Sequence, residues 1–121
     1  MKVGMVQINV PDLNKAIEWY TKKLGFELSK EHYYPPVAVD LINEGIRLLL
    51  YKAEKETKID YPKQAQSIII FESENLIEEM KRMNENGVDL IYNEPIQFPA
   101  GIFTAFRDPF GNVHEVVEFN K

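Results

Sequence analysis

The stretch FRDPFGNVHEVVEF, residues 106–119, sets His114 directly before Glu115 in an apolar run. Imidazole and carboxylate are the side chains that hold divalent ions and move protons near neutral pH, so this pair is the first candidate for chemistry. The chain has one other histidine, His32, and no cysteine. Thiolate nucleophiles, disulfides and cysteine-ligated metal sites are thereby excluded. On a regular strand, however, adjacent side chains point to opposite faces. If Glu115 faces a cavity with Val113 and Val117, His114 faces away with Val116 and Glu118. Only a bulge would bring the two onto one ion. Glu115 is then the candidate functional residue and His114 a bystander. Asp108 reads as a turn residue, because Pro109 suits the second position of a type I turn and the Asp108 carboxylate can cap it.

The elements that must position Glu115 follow from periodicity. Val3 to Val10 alternates and is β-branched, as a strand requires. In PDLNKAIEWYTKKLGF, Leu13, Ala16, Ile17, Tyr20 and Leu24 recur at helical spacing, with Asp12 able to cap the start and Gly25 to end it. Phe26 to about Tyr34 reads as a strand halted by Pro35-Pro36, and VAVDLI and IRLLLY as two strands around a turn at Asn43 to Gly45. The charged stretch KAEKETKIDYPKQ has no apolar period and reads as a solvated linker. The order then repeats: strand SIIIFES, a helix in ENLIEEMKRMNENG closed by Gly87, then strands in GVDLI, GIFTAF and VHEVVEF. The fold class is α+β, with two tandem βαβββ modules at about 1–54 and 66–121 and a linker at about 55–65 in a single domain of 121 residues. Similar halves predict two curved sheets around a shared cavity.

Composition narrows the partners. The net charge of −5, with lysines scattered among acids, disfavours nucleic acid. No apolar stretch approaches the roughly 20 residues of a membrane span, and the N-terminus reads as a strand in place of a secretion signal. A cytoplasmic protein with no membrane partner is expected.

The segments VPDLNKAIEWYTKKLGF, and NENGV followed by FRDPFGNVHEVVEF, resemble the glyoxalase, bleomycin-resistance and extradiol-dioxygenase superfamily, also called the vicinal oxygen chelate superfamily. The resemblance covers essentially the whole chain and implies the two-module fold and a homodimer. It does not fix the reaction, since members include isomerases, lyases, dioxygenases, thiol transferases and metal-free drug-binding proteins. In metal-dependent members, histidine or glutamine from the first strand of each module, and glutamate or histidine from the last, hold a divalent ion. Carried over, the first-strand position falls on Met5 and its counterpart near Gln66, Ser67 or Ile68. The last-strand positions fall on Leu48 or Leu49 and on Glu115. One carboxylate and one amide fall short of the three or four protein ligands such a site requires. No cofactor is therefore expected, and a divalent metal, if bound, would be held by Glu115 with Gln7 or Gln66. His32 lies where the family has no ligand, which makes ring-cleaving dioxygenase chemistry the least expected activity.

Two functions follow from the resemblance and the residues. The first is a small-molecule-binding protein for a metabolite or antibiotic, lined by Met5, Gln7, Tyr33, Tyr34, Leu48, Gln66, Phe103 and Glu115. The alternative is a lyase or isomerase using Glu115 as metal ligand or as general acid–base. The tyrosines of HYYPPV suit a flat or cationic ligand, although tyrosine on a strand is also an ordinary packing residue.

Overall fold

A computed structural model describes all residues, Met1–Lys121. The chain divides into two compact units, Met1–Thr57 and Lys58–Lys121. No helix is long and apolar enough to cross a membrane.

In the first unit, β1 (Met5–Val10) leads into α1 (Leu13–Lys22), followed by β2 (Leu28–Tyr34), β3 (Ala38–Leu41) and β4 (Arg47–Lys52). Asp12 caps α1 by accepting from the Lys15 backbone N–H at 3.0 Å, and Gly25 ends the turn at φ +83°. The sheet order is β1-β4-β3-β2, with β1 parallel to β4. Registers Ile8↔Leu50, Val39↔Leu50 and Leu41↔Leu48 put these apolar residues on one face, where they join buried Leu13, Ala16 and Tyr20 of α1 in a core. Alternation puts Met5, Gln7, Leu49, Ala38 and Asp40 on the second face.

The second unit runs β5 (Ile69–Glu72), α2 (Leu76–Glu85), β6 (Asp89–Leu90), β7 (Ile96–Phe98), β8 (Gly101–Arg107) and β9 (Val113–Phe119). Asn75 caps α2 through its amide oxygen, and Gly87 takes φ +78° beyond its end. The order is β5-β9-β8-β6, with β7 also paired to β8. Strand β7 adds to the expected βαβββ pattern. It forms because the chain doubles back at Pro99 and Ala100, so that Phe98 pairs with Gly101. Gly101 has φ +158°, and a Cβ there would lie 2.0 Å from the Glu118 carbonyl oxygen, so only glycine lets β9 run so close.

One turn and one strand-to-helix contact fix how the last strands sit. The Asp108 carboxylate accepts from the backbone N–H groups of Phe110 and Asn112, both at 2.9 Å, and from the Asn112 side-chain amide at 2.8 Å. Its predicted role in the hairpin turn therefore holds. Glu118 Oε1 accepts from the first-turn amide of α2, Leu76 N–H, at 2.8 Å, which puts Glu118 on the helix-covered face of the sheet.

Candidate functional site

With Glu118 on the helix side, alternation assigns Val116 and His114 to that side and Val117, Glu115 and Val113 to the other. The pairs Ala105↔Glu115, Ile70↔Glu115 and Phe103↔Val117 complete the floor around Glu115. The expected split of the His-Glu pair is what the strand shows. His114, 3% exposed, packs between Phe71 and Phe106, each with its ring centroid 5.4 Å away. Burial pushes its pKa down to about 4, against the opposing attraction of Asp108, so it stays neutral at physiological pH.

Glu115 is half-buried, and its Oε2 accepts a 2.5 Å hydrogen bond from the Tyr61 hydroxyl. Tyr61 comes from the stretch expected to be a solvated linker. It is instead 9% exposed, packed with Ala105 and Val113 and flanked by Ile59, Ile68, Ile91 and Tyr92. Burial first, then the bond to Glu115, holds its phenol above the ordinary range, so the hydroxyl remains a donor. An aromatic row continues from it. Tyr92 lies 6.1 Å from Tyr61 and 6.1 Å from Phe103, and Phe103 5.5 Å from Phe98, all edge to face.

The second face of the first sheet carries the other expected residues. Met5 and Gln7 share it, Met5 partly exposed and the Gln7 amide donating to Asn9 Oδ1 at 2.8 Å. Tyr34 pairs with Ala38 and so belongs to this face, whereas Tyr33 pairs with Val39 on the other. Asp40, 5% exposed, accepts from Arg47 Nε at 2.7 Å and Nη2 at 3.2 Å.

A model of the Glyoxalase/Bleomycin resistance protein/Dioxygenase superfamily matches residues 2–116. The chain belongs to this superfamily. It is 31% identical to protein YetH of Bacillus subtilis over 116 residues, 93% of each chain. The fold is similar to that of the fosfomycin resistance protein FosX from Listeria monocytogenes, with a TM-score of 0.77 and 16% identity over 99% of this chain and 94% of that one. It is also similar to lactoylglutathione lyase from Agrobacterium tumefaciens, with a TM-score of 0.74 and 20% identity over 97% of this chain and 92% of that one.

Superfamily metal positions can now be set by strand register. Leu49, third residue of β4, corresponds to Glu115, third residue of β9. Leu48 pairs with Val6, is 3% exposed and lies in the helix-side core, so of the two leucines it is Leu49 that stands on the second face. Continuing the β5–β9 register one residue back from Ile69↔His114 sets Ile68 opposite Val113, as Met5 stands opposite Arg47. Gln66 is exposed and precedes β5 by three residues. The four positions therefore carry a thioether, two alkyl groups and one carboxylate. That donor set does not fit a hard or borderline divalent ion, and no three His, Asp or Glu side chains gather anywhere in the chain to hold one.

Sequence reasoning missed Tyr61 and the Asp40–Arg47 pair. An aromatic between Ile59 and Pro62 inside a charged stretch was the available signal for Tyr61. Nothing in the spacing pointed to Asp40, whose partner lies across a β-turn.

Proposed function

We propose that this superfamily member binds a small organic molecule on the second face of its second sheet, at Glu115, and does so without a complete family metal site. The observation that carries the reading is the state of Glu115. The one carboxylate retained from the family's ligand set is bonded by the Tyr61 hydroxyl, beside a row of aromatic rings. Tyr61, Tyr92, Phe103 and Phe98 supply apolar wall, and the Tyr61–Glu115 pair supplies the polar group that fixes orientation. The reading includes a cytoplasmic homodimer, which sedimentation at micromolar concentration tests.

The deciding experiment pairs metal analysis with thermal shift. Purified protein is expected to carry far less than one divalent ion per chain, and added Zn, Ni or Mn to leave the melting temperature unchanged. A screen of metabolites and antibiotics is expected to yield stabilising ligands. Stoichiometric metal that is lost with a chelator, together with a lowered melting temperature, would refute the metal-free reading. A lyase or isomerase remains the second reading, favoured by one observation: the Tyr61 hydroxyl and the Glu115 carboxylate form a proton donor–acceptor pair at 2.5 Å. Turnover abolished by Glu115→Gln with ligand binding retained would establish it.

A further inference from the structure

Three ion pairs are formed by side chains of this chain: Lys22–Glu18, Arg47–Asp40 and Arg82–Glu79. Glu115 takes part in none of them. Its hydrogen-bond partner is the Tyr61 hydroxyl, a neutral donor that orients the carboxylate and brings no positive charge to it. Its immediate neighbours are apolar. Ala105, Val113 and Val117 are buried apolar neighbours, and Ile70 stands opposite on β5. Arg107 shares this face by register, opposite Val113, but makes no ion pair with Glu115. Glu72, opposite Val117, adds a second negative charge to the face. Burying a carboxylate among apolar groups is costly unless a partner of opposite charge meets it. The ligand count removes a metal ion from consideration, which leaves an organic cation.

The aromatic row supports the same class of ligand. Phe103 and Phe98 stand nearly perpendicular, at 85°, as do Tyr92 and Phe103, at 88°, so successive rings present faces in different directions beside one acidic group. The negative face of an aromatic ring attracts a cation, most strongly where water is excluded.

We infer that the Glu115 site takes an organic cation, an ammonium or amidinium carried on a small aromatic or apolar body. This rests on the proposal of a small-molecule site at Glu115 and names its ligand class. Benzylammonium, benzyl alcohol and benzoate share one body and differ in charge, so an NMR titration of the full chain with each separates charge from shape. Benzylammonium is expected to shift the amide resonances of Tyr61, Ala105 and Glu115 saturably, and to bind at least about tenfold more tightly than the other two, the scale of a desolvated charged contact. Glu115→Gln, which keeps the shape, is expected to erase that preference. Tyr61→Phe, which leaves the charge, is expected to keep it.

Equal binding of benzyl alcohol, or tighter binding of benzoate, would overturn the cation assignment while leaving a small-molecule site in place. So would a cation preference that survives in Glu115→Gln. If no probe binds but the metabolite and antibiotic screen finds a neutral or anionic ligand at these residues, the cation class alone fails. If both are empty, the site itself fails.

Discussion

His114 offers a stability test that depends on no ligand. In the unfolded chain it titrates near its ordinary 6.5, whereas in the fold, buried between Phe71 and Phe106, it titrates near 4. Between those values the unfolded state binds a proton that the folded state refuses. Stability is therefore full above pH 6.5, falls as the pH drops through that interval, and stops falling from this cause below pH 4. At about 1.4 kcal/mol per pH unit the whole interval is worth about 3 kcal/mol, somewhat under half of it lost by pH 5.5. Urea denaturation of the wild type and of His114→Leu at pH 7.5, 5.5 and 4.5 measures it. Protonation of surface carboxylates destabilises both proteins alike, so the difference between the two curves isolates the imidazole. The variant is expected to lose about 2–3 kcal/mol less than the wild type between pH 7.5 and 4.5, whatever its stability at pH 7.5. Parallel curves, or an imidazole NMR titration with a midpoint near 6.5 in the folded protein, would refute the reasoning.

The remaining predictions concern the strand register and the site. Gly101→Ala, whose Cβ would meet the Glu118 carbonyl oxygen at 2.0 Å, is expected to destabilise by about 2 kcal/mol or more, read as a drop in melting temperature. Asp108→Ala removes the acceptor of three hydrogen bonds in the β8–β9 turn and is expected to cost about 2–3 kcal/mol by denaturant titration, with m unchanged. Tyr61→Phe removes a charge-assisted bond to Glu115 and is expected to cost about 1–2 kcal/mol at pH 7. Because the fold raises the Tyr61 pKa, its contribution is complete below pH 10 and erodes as the pH climbs beyond it. In an ultraviolet titration one late-ionising tyrosine of the six should disappear in the variant.

Periodicity and capping made most of the fold legible. The spacing of Leu13, Ala16 and Tyr20, with Asp12 before them and Gly25 after, outlines α1 within a residue or two. Strand parity alone puts Glu115 and His114 on opposite faces, because a regular strand has a period of two and β9 carries no bulge between them. Local rules failed where tertiary packing decides. Leu48, Leu49 and Leu50 are all buried, so composition could not say which of the three faces the helix, and the register with β1 was needed to choose Leu49 for the second face. The charged stretch 52–64 looked solvated because its average is polar, yet a single residue, Tyr61, buries its ring and reaches Glu115 from 54 positions away. Such a long-range contact leaves no periodic trace.

The choice of carboxylate over imidazole at the site is made by turn chemistry several residues away. Asp108 closes the hairpin with three side-chain hydrogen bonds, and Gly101 admits β9 at a distance no other residue allows. Together they pin the β8–β9 register at Ala105↔Glu115 and Phe106↔His114. A slip of one residue would turn His114 onto the second face and bury Glu115 between Phe71 and Phe106, where a carboxylate has no partner. The register is thus enforced twice, by the turn that sets it and by the penalty of leaving it. The Tyr61–Glu115 bond depends on both, since the hydroxyl can meet the carboxylate only in the register that exists.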